Sequence, residues 1–317
     1  MTGRSTIGGI FGDLAVRADL DAPIGLDSWF CAGGRADVLL HPEDPETLAE
    51  IVRRCRRTGT PLRILGEGAN LLVADEGVGG IVVRLDAPAF RGIERNADGE
   101  VDLVRIGGGA DLARSLMNLA RSGLSGIETL MGIPASIGGA IRMNAGGRYG
   151  SIGDAVHAVA CIDAHGEIKV YPASELEFDY RHTNIKDPIV LWAVFKVEQE
   201  DPIALRERIK EIAAYKKSTQ PLSEKSAGCM FRNPIDPESG ERVSAGRIID
   251  DCGLKGLRIG SASVSEKHAN FVTIDRGGSA DDAIALGDEI IRRVGEERGW
   301  KLTREVVVWR REAESEG

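Results

Sequence analysis

Three glycine-rich stretches carry most of the chemistry that residue type and spacing suggest. In Leu62-Arg-Ile-Leu-Gly66-Glu-Gly68-Ala69-Asn70-Leu71-Leu72 an apolar run turns sharply on two glycines. Without Cβ atoms, successive backbone N–H groups can converge on an anion, and the Asn70 side chain offers a further donor. A pyrophosphate suits such a nest, and a turn that merely needs positive φ would look the same. Gly107–Gly109 is equally ambiguous. The third stretch, Gly132-Ile133-Pro134-Ala-Ser136-Ile137-Gly138-Gly139-Ala-Ile-Arg-Met-Asn144-Ala145-Gly146-Gly147, joins many glycines to few charges. Backbone laid flat against a planar ligand needs that composition, because side chains would block the approach. None of the three has the G-x-G-x-x-G spacing of a dinucleotide fold or the G-K-[ST] ending of a P-loop.

Metal and dithiol chemistry find no support. Cys31, Cys55, Cys161, Cys229 and Cys252 form no C-x-x-C pair, so no metal is expected. An odd, scattered set of thiols fits a reducing compartment, and the cytoplasm is the expected location.

The elements that must position these stretches follow from periodicity. Strands are predicted at Ala36–Leu40, Pro61–Leu65, Leu71–Val73 and Ile81–Leu85, with a helix from Pro45 to Arg57. This alternation marks an α/β domain. After Pro88 come a strand at Val101–Ile106, a helix at Leu112–Ser122 stopped by Gly123, and strands near Ala155–Ile162, Ile168–Tyr171 and Val190–Val197. Helices at Ile203–Lys217 and Ala280–Arg298 and a strand at Val306–Trp309 complete the chain. Residues 1–25 read as a poorly constrained leader. Boundaries near 88 and 200 divide the remainder into 26–88, 89–200 and 201–317.

The chain has 317 residues, 42% hydrophobic and 28% charged, with a formal charge of −9 and 40 glycines. That suits two or three domains of a soluble protein. An acidic chain is a poor general binder of nucleic acid. Arg53, Arg54, Arg56 and Arg57 read as a solvated helix face rather than a basic patch. No signal peptide is recognisable, and no segment reaches the roughly 18 apolar residues of a membrane span.

Beyond these general features, four motifs are specific. Gly126-Ile-Glu-Thr-Leu-Met-Gly132-Ile-Pro134 through Met143-Asn144-Ala145-Gly146 closely resembles the flavin-binding tract of the UDP-N-acetylenolpyruvoylglucosamine reductase (MurB) family. Ser226-Ala-Gly-Cys229-Met-Phe-Arg-Asn233-Pro234 resembles that family's S-A-G-[SC]-x-F-[KR]-N-P motif. Ala245-Gly246-Arg-Ile-Ile-Asp-x-x-Gly253-Leu-Lys-Gly256 and Ser265-Glu-Lys-His268-Ala-Asn270-Phe271 match two further segments in order. The agreement runs from about Trp29 to Val308.

The resemblance implies an α+β protein: a two-domain FAD-binding module of the vanillyl-alcohol-oxidase/PCMH type and a C-terminal α/β substrate-binding domain. It implies NADPH-dependent, FAD-mediated reduction of UDP-N-acetylglucosamine enolpyruvate to UDP-N-acetylmuramate, a step of peptidoglycan synthesis that bears on cell shape and division. FAD would be held non-covalently by Gly66, Gly68, Ala69, Asn70 and Leu71 at its pyrophosphate. Gly132, Ile133, Pro134, Ser136, Ile137, Gly138, Gly139, Asn144, Ala145 and Gly146 would pass close to its flavin. Arg181, Cys229 and Glu305 match catalytic positions. Taken alone they read as a surface ion pair, a core thiol and a solvated carboxylate. Lys217 and Gln220 lie where the family contacts the diphosphate, Asn233 matches a uracil contact, and His268 falls in the substrate pocket. Without the resemblance, Lys216 and Lys217 read equally well as a solvated helix end. The short run from Arg181 to the strand at Val190 resembles the branch without an inserted Tyr-bearing loop. A monomer with no membrane or nucleic-acid partner is expected. A flavin oxidase of the same architecture competes with this reading, but no His lies in the glycine tracts to tether a flavin. A non-enzymatic UDP-sugar or flavin binder would not need Arg181, Cys229 and Glu305 together.

Overall fold

A computed structural model describes residues 8–221 and 224–311. The chain parts into two compact units: residues 1–20, 38–67 and 80–215, and residues 21–37, 68–79 and 216–317. The division falls within the strands Arg17–Ala22, Ala36–His41 and Val78–Val83, each of which carries chain from one unit to the other.

The first unit is built on two sheets. A four-stranded sheet has the order Arg17–Ala22, Ala36–His41, Val78–Val83, Leu62–Ile64, the last two strands running parallel with Leu62 opposite Ile81. Helix α1 (Pro45–Thr58) starts where Asp44 accepts the Thr47 N–H at 2.7 Å and stops at Gly59, whose φ of 66° is left-handed. Its apolar face places Leu48, Ile51, Val52 and Cys55 in a core with Val38, Leu40, Ile81 and Val83. On the arginine-rich face of α1, Arg53, Arg56 and Arg57 are exposed while Arg54 is largely covered, and Arg53 and Arg54 meet Glu50 at 2.9 and 2.7 Å.

The second sheet has five strands in the order Ile168–Pro172, Val156–Ile162, Ile189–Lys196, Leu103–Gly107, Ile93–Arg95, all antiparallel. Helices α2 (Leu112–Arg121) and α3 (Ile137–Arg142) share its core: Leu112, Leu116, Ile137, Ala140 and Ile141 are buried with Val104, Ile106, Ala193 and Phe195. Helix α4 (Pro202–Thr219) follows this sheet.

The second unit centres on helix α6 (Ala280–Arg298), capped by Ser279 at its start and by Gly299 at its end. Ala283, Leu286, Ile290 and Val294 share a core with Phe30, Met230, Phe231 and helix α5 (Ala245–Asp251). An antiparallel sheet of Arg258–Ile259, Ala262–Val264 and Val272–Ile274 joins this core, and Val307–Trp309 runs parallel to Leu71–Val73.

Two expectations need correcting. The supposed leader contains the strand Arg17–Ala22, and Ile10 and Ile24 are in the core at 1% and 0% exposure. The sequence hides the strand because only one of its six residues, Ala22, is buried, so no alternating apolar pattern marks it. The glycine tract also contains a helix: α3 begins at Ser136, whose Oγ accepts the Gly139 N–H. Two adjacent glycines at its first turn lower its intrinsic propensity below what periodicity can detect. Tertiary contact compensates, because Ile137 and Gly138 donate their N–H groups to Ala110 and Gly108 at 2.9 and 2.7 Å.

The Gly107–Gly109 ambiguity resolves in favour of packing. A Cβ at any of these positions would lie inside 3.0 Å of a backbone carbonyl: Phe90 for Gly107, Val190 for Gly108, Leu85 for Gly109. Backbone cannot yield as a side-chain tip can. Gly109→Ala is therefore expected to destabilise the protein by about 2 kcal/mol or more. Gly92→Ala, with open space around the added methyl, should stay within about 0.5 kcal/mol of the parent. Chemical denaturation of both variants checks this, and equal stabilities would contradict the packing account.

Candidate active site

In the first unit, the structure brings together the start of the pyrophosphate loop and the flavin tract. A Cβ at Gly66 would stand 2.6 Å from the Ser136 Oγ, so the loop lies close against the start of α3, and a side chain there would have to displace the Ser136 hydroxyl. Leu65 N–H is taken by Val83 O at 2.9 Å. Among the described residues, no acceptor takes the backbone N–H groups of Gly66 to Asn70. That is the donor set a pyrophosphate requires.

The tract itself separates into packing glycines and bare ones. A Cβ at Gly138 would stand 3.1 Å from Gly108 O and 3.5 Å from Val190, and one at Gly146 would lie 2.7 Å from Gly150 O. Gly139 would meet only the Ser136 Oγ, and Gly147 nothing within 4 Å. Protein packing does not explain these last two, and a backbone surface left without side chains fits a planar group such as a flavin. Ile133, Pro134 and Ser136 lie on the entry to α3, and Ala145 is buried just after it.

The tract also braces Arg181. Tyr180 and Arg181 form the tip of a hairpin in which Phe178 opposes Thr183 and Asp179 opposes His182. Arg181 has a φ of 54°, uncommon for a residue with a side chain. Its guanidinium lies 5.1 Å from the centre of the Tyr180 ring. Asn144, itself at φ 38°, donates from Nδ2 to Asp179 O at 2.9 Å and accepts the Gly153 N–H at 3.1 Å. Arg142 donates to the carbonyls of Ile185 (2.6 Å) and Asp187, beyond the hairpin. Arg181 thus stands on a turn anchored before and after by residues of the glycine tract.

In the second unit, Cys229 and Glu305 sit on neighbouring extended segments. Glu305 donates its N–H to the carbonyl of Met230, the residue after Cys229, at 2.8 Å. Arg232 donates to Thr303 O at 2.9 Å, and Phe231 is the bridge partner of Arg304. On its other edge the Cys229 segment meets residues 270–271. Met230 donates to Asn270 O at 2.7 Å, and Cys229 is the bridge partner of Phe271. Asn270, 2% exposed, closes this edge with its carboxamide: Oδ1 accepts the Phe231 N–H at 2.9 Å and Nδ2 donates to Phe231 O at 2.8 Å. That side chain copies a peptide group, so both backbone polar atoms of the buried Phe231 are matched.

The remaining sequence-predicted residues divide by role. Asn70 sends its Nδ2 to Glu305 O at 3.1 Å, so at least one of its donors serves protein rather than an anion. Gly68, at φ 65°, packs its α-carbon against Ser28, and its carbonyl accepts the Trp29 N–H at 3.1 Å. Leu71 begins the strand that pairs with Val307. Asn233 Oδ1 accepts the Ala245 N–H at 3.0 Å and so holds the start of α5. His268 is half-buried: its Nδ1 accepts the Asn270 N–H at 3.2 Å, its ring meets Phe271 edge-on at 4.9 Å, and desolvation lowers its pKa. Lys217 and Gln220 present carbonyls to Lys267 Nζ, each at 2.8 Å.

Sequence reasoning missed three features. Lys216 is buried while Lys217 is exposed, so this helix end is not uniformly solvated. Tyr149 and Tyr215 meet edge to face at 5.9 Å, with the Arg148 guanidinium 5.3 Å from the Tyr215 ring. Asn270 is a buried polar clamp. Only its place in the Ser265–Phe271 motif could have flagged it.

The thiols differ in kind. Burial pushes Cys55 up to about 11 and Cys161 up to about 12, whereas Cys229 is partly exposed. At pH 8 a thiol of pKa 11 holds a thiolate fraction of only about one in a thousand. Iodoacetamide at pH 8 should therefore modify Cys229 while Cys55 and Cys161 stay unlabelled in the native protein. Peptide mass spectrometry reads this, and early labelling of either core cysteine would contradict the assignment.

Comparison with known proteins agrees with this geometry. Residues 36–171 match the model of an FAD binding domain, and residues 220–309 match the C-terminal domain of UDP-N-acetylenolpyruvoylglucosamine reductase. The reductase of Heliobacterium modesticaldum is 40% identical over 280 residues, covering 87% of this chain and 85% of that protein. That of Desulfosudis oleivorans is 35% identical over 301 residues, covering 92% and 94%. The crystal structure of the Thermus caldophilus enzyme (MurB) superposes with a TM-score of 0.75 at 38% identity, covering 93% of this chain and 99% of that one. The α+β architecture is therefore an FAD-binding module of the PCMH type followed by a MurB C-terminal domain. The chain belongs to the UDP-N-acetylenolpyruvoylglucosamine reductase family.

Proposed function

We propose that this chain carries out the NADPH-dependent, FAD-mediated reduction of UDP-N-acetylglucosamine enolpyruvate to UDP-N-acetylmuramate. The observation that carries the reading is the Glu305 N–H bond to Met230 O at 2.8 Å, which seats a carboxylate residue beside a thiol residue on matched family motifs. FAD fits the free N–H groups of Gly66–Asn70 and the bare backbone at Gly139 and Gly147. When bound it supplies hydride transfer from NADPH to the enolpyruvyl group.

The protein's own residues handle charge and protons. Hydride addition at the terminal vinylic carbon breaks the C=C bond and leaves an electron pair on the α-carbon, delocalised onto the carboxylate. Arg181 holds that carboxylate and offsets the developing charge through its fixed fork of donors. Glu305 polarises the same carboxylate if protonated, or orients its neighbours. Cys229 gives its Sγ proton to the α-carbon and completes the reduction. A thiol, with a reference pKa of about 8.5, is a far stronger acid than an alkyl hydroxyl, which suits it to this step.

On the same reading, residues 26–88 and 89–200 form the two FAD-binding subdomains and 201–317 the substrate-binding domain. Lys217, Gln220 and Asn233 serve the substrate's UDP end, and His268 helps to shape the substrate pocket. The chain works as a cytoplasmic monomer of the branch without a Tyr-bearing loop, and its product feeds peptidoglycan synthesis, cell shape and cell division.

The purified protein should be yellow, bleach anaerobically with NADPH, and regain colour on addition of UDP-N-acetylglucosamine enolpyruvate, with UDP-N-acetylmuramate formed. UDP-N-acetylglucosamine should have no effect. A flavin that stays reduced until air is admitted would sink the reductase reading and favour an oxidase.

A further inference from the structure

Glu305 is held by its backbone from two directions. Its N–H is taken by Met230 O at 2.8 Å, on the segment that carries Cys229. Its carbonyl accepts Nδ2 of Asn70 at 3.1 Å, a residue of the pyrophosphate loop. The connection continues past this point. Val307 donates its N–H to Asn70 O at 3.1 Å, and Leu71–Val73 then pairs in parallel register with Val307–Trp309, Leu71 opposite Val307. Asn70 is thus bonded through both its side chain and its main chain to the two residues flanking Val306. A side chain acting as a phosphate donor has no need of this geometry. Backbone N–H groups of Gly66–Asn70, which no acceptor among the described residues takes, can supply that function.

We propose that Asn70 is a positioning residue for Glu305, coupling the pyrophosphate loop to the carboxylate that acts on substrate. The inference rests on the functional reading above. A carboxyl group that must meet a substrate carboxylate in one geometry is sensitive to small displacements, since a shift on the order of 1 Å can cost about a hundredfold in rate. Removing the Asn70 carboxamide leaves the backbone donors of the loop in place but frees the Glu305 carbonyl from its partner. The consequence falls on the half-reaction with substrate, where Glu305 acts, and not on the half-reaction with NADPH.

The experiment compares wild type, Asn70→Ala, Glu305→Gln and the double variant. It measures FAD affinity by reconstitution of apoprotein, anaerobic flavin reduction by NADPH, and reoxidation by UDP-N-acetylglucosamine enolpyruvate. Asn70→Ala should lose about ten- to a hundredfold in reoxidation, with much smaller changes in FAD affinity and in reduction. In the Glu305→Gln background the same substitution should add little, because residues that act through one another are not additive. Asn70→Ser, which keeps a donor of smaller reach, should recover part of the loss and serves in place of the alanine variant if that protein does not fold. Loss of FAD affinity with full reoxidation of the flavin that remains would make Asn70 a phosphate ligand and overturn the proposal. Full additivity with Glu305→Gln would overturn it as well. A wild-type flavin that the substrate cannot reoxidise would overturn the functional reading, and this inference with it.

Discussion

A short backbone ladder, Cys229 to Arg232, carries the arrangement on which the proposed chemistry of Cys229 and Glu305 depends. One edge bonds to Thr303 and Glu305, the other to Asn270 and Phe271. A strand used on both edges has little freedom to slide, because a one-residue slip would unmake every bond at once. The Asn270 carboxamide enforces the register further by pairing with both polar atoms of the Phe231 backbone. Burial makes this pairing stringent, since an unmatched polar group at that depth would cost about 1–3 kcal/mol. Main-chain geometry therefore places Cys229 and Glu305 on adjoining segments.

The same economy governs the first unit. Arg181 occupies a left-handed position on a two-residue hairpin tip, a conformation that persists only when its surroundings over-determine it. Asn144 and Arg142 supply that constraint by bonding carbonyls on either side of the hairpin. Glycine is needed for opposite reasons in neighbouring places. At Gly107, Gly108 and Gly109 it lets backbones touch, while at Gly139 and Gly147 it leaves backbone bare.

Much of this was legible in the sequence, and unevenly so. Long periodic elements such as α1, α2 and α6 were predicted within a residue or two at either end, because an apolar face of several turns is a strong signal. The strand Arg17–Ala22 was not, since only one of its residues is buried. Helix α3 was not, since its glycines oppose its propensity and tertiary hydrogen bonds decide the matter. Glycine loops were visible as loops, but which glycines pack and which stay bare depends on what lies opposite in space. Cys229, Arg181 and Glu305 are ordinary residues in isolation, and only the motifs around them gave them a role. Asn70 shows what the sequence hides: its type suggested a phosphate donor, and nothing in the sequence marks the bond from its Nδ2 to a carbonyl 235 residues away.

The most direct measurement of the central claim, that the clamped thiol completes the reduction, is single-turnover kinetics of Cys229→Ala under anaerobic conditions. The account predicts that the variant keeps its flavin and is reduced by NADPH at the parental rate, yet loses about a hundredfold or more in reoxidation by substrate. Reoxidation at the parental rate would contradict it and assign the proton to another group.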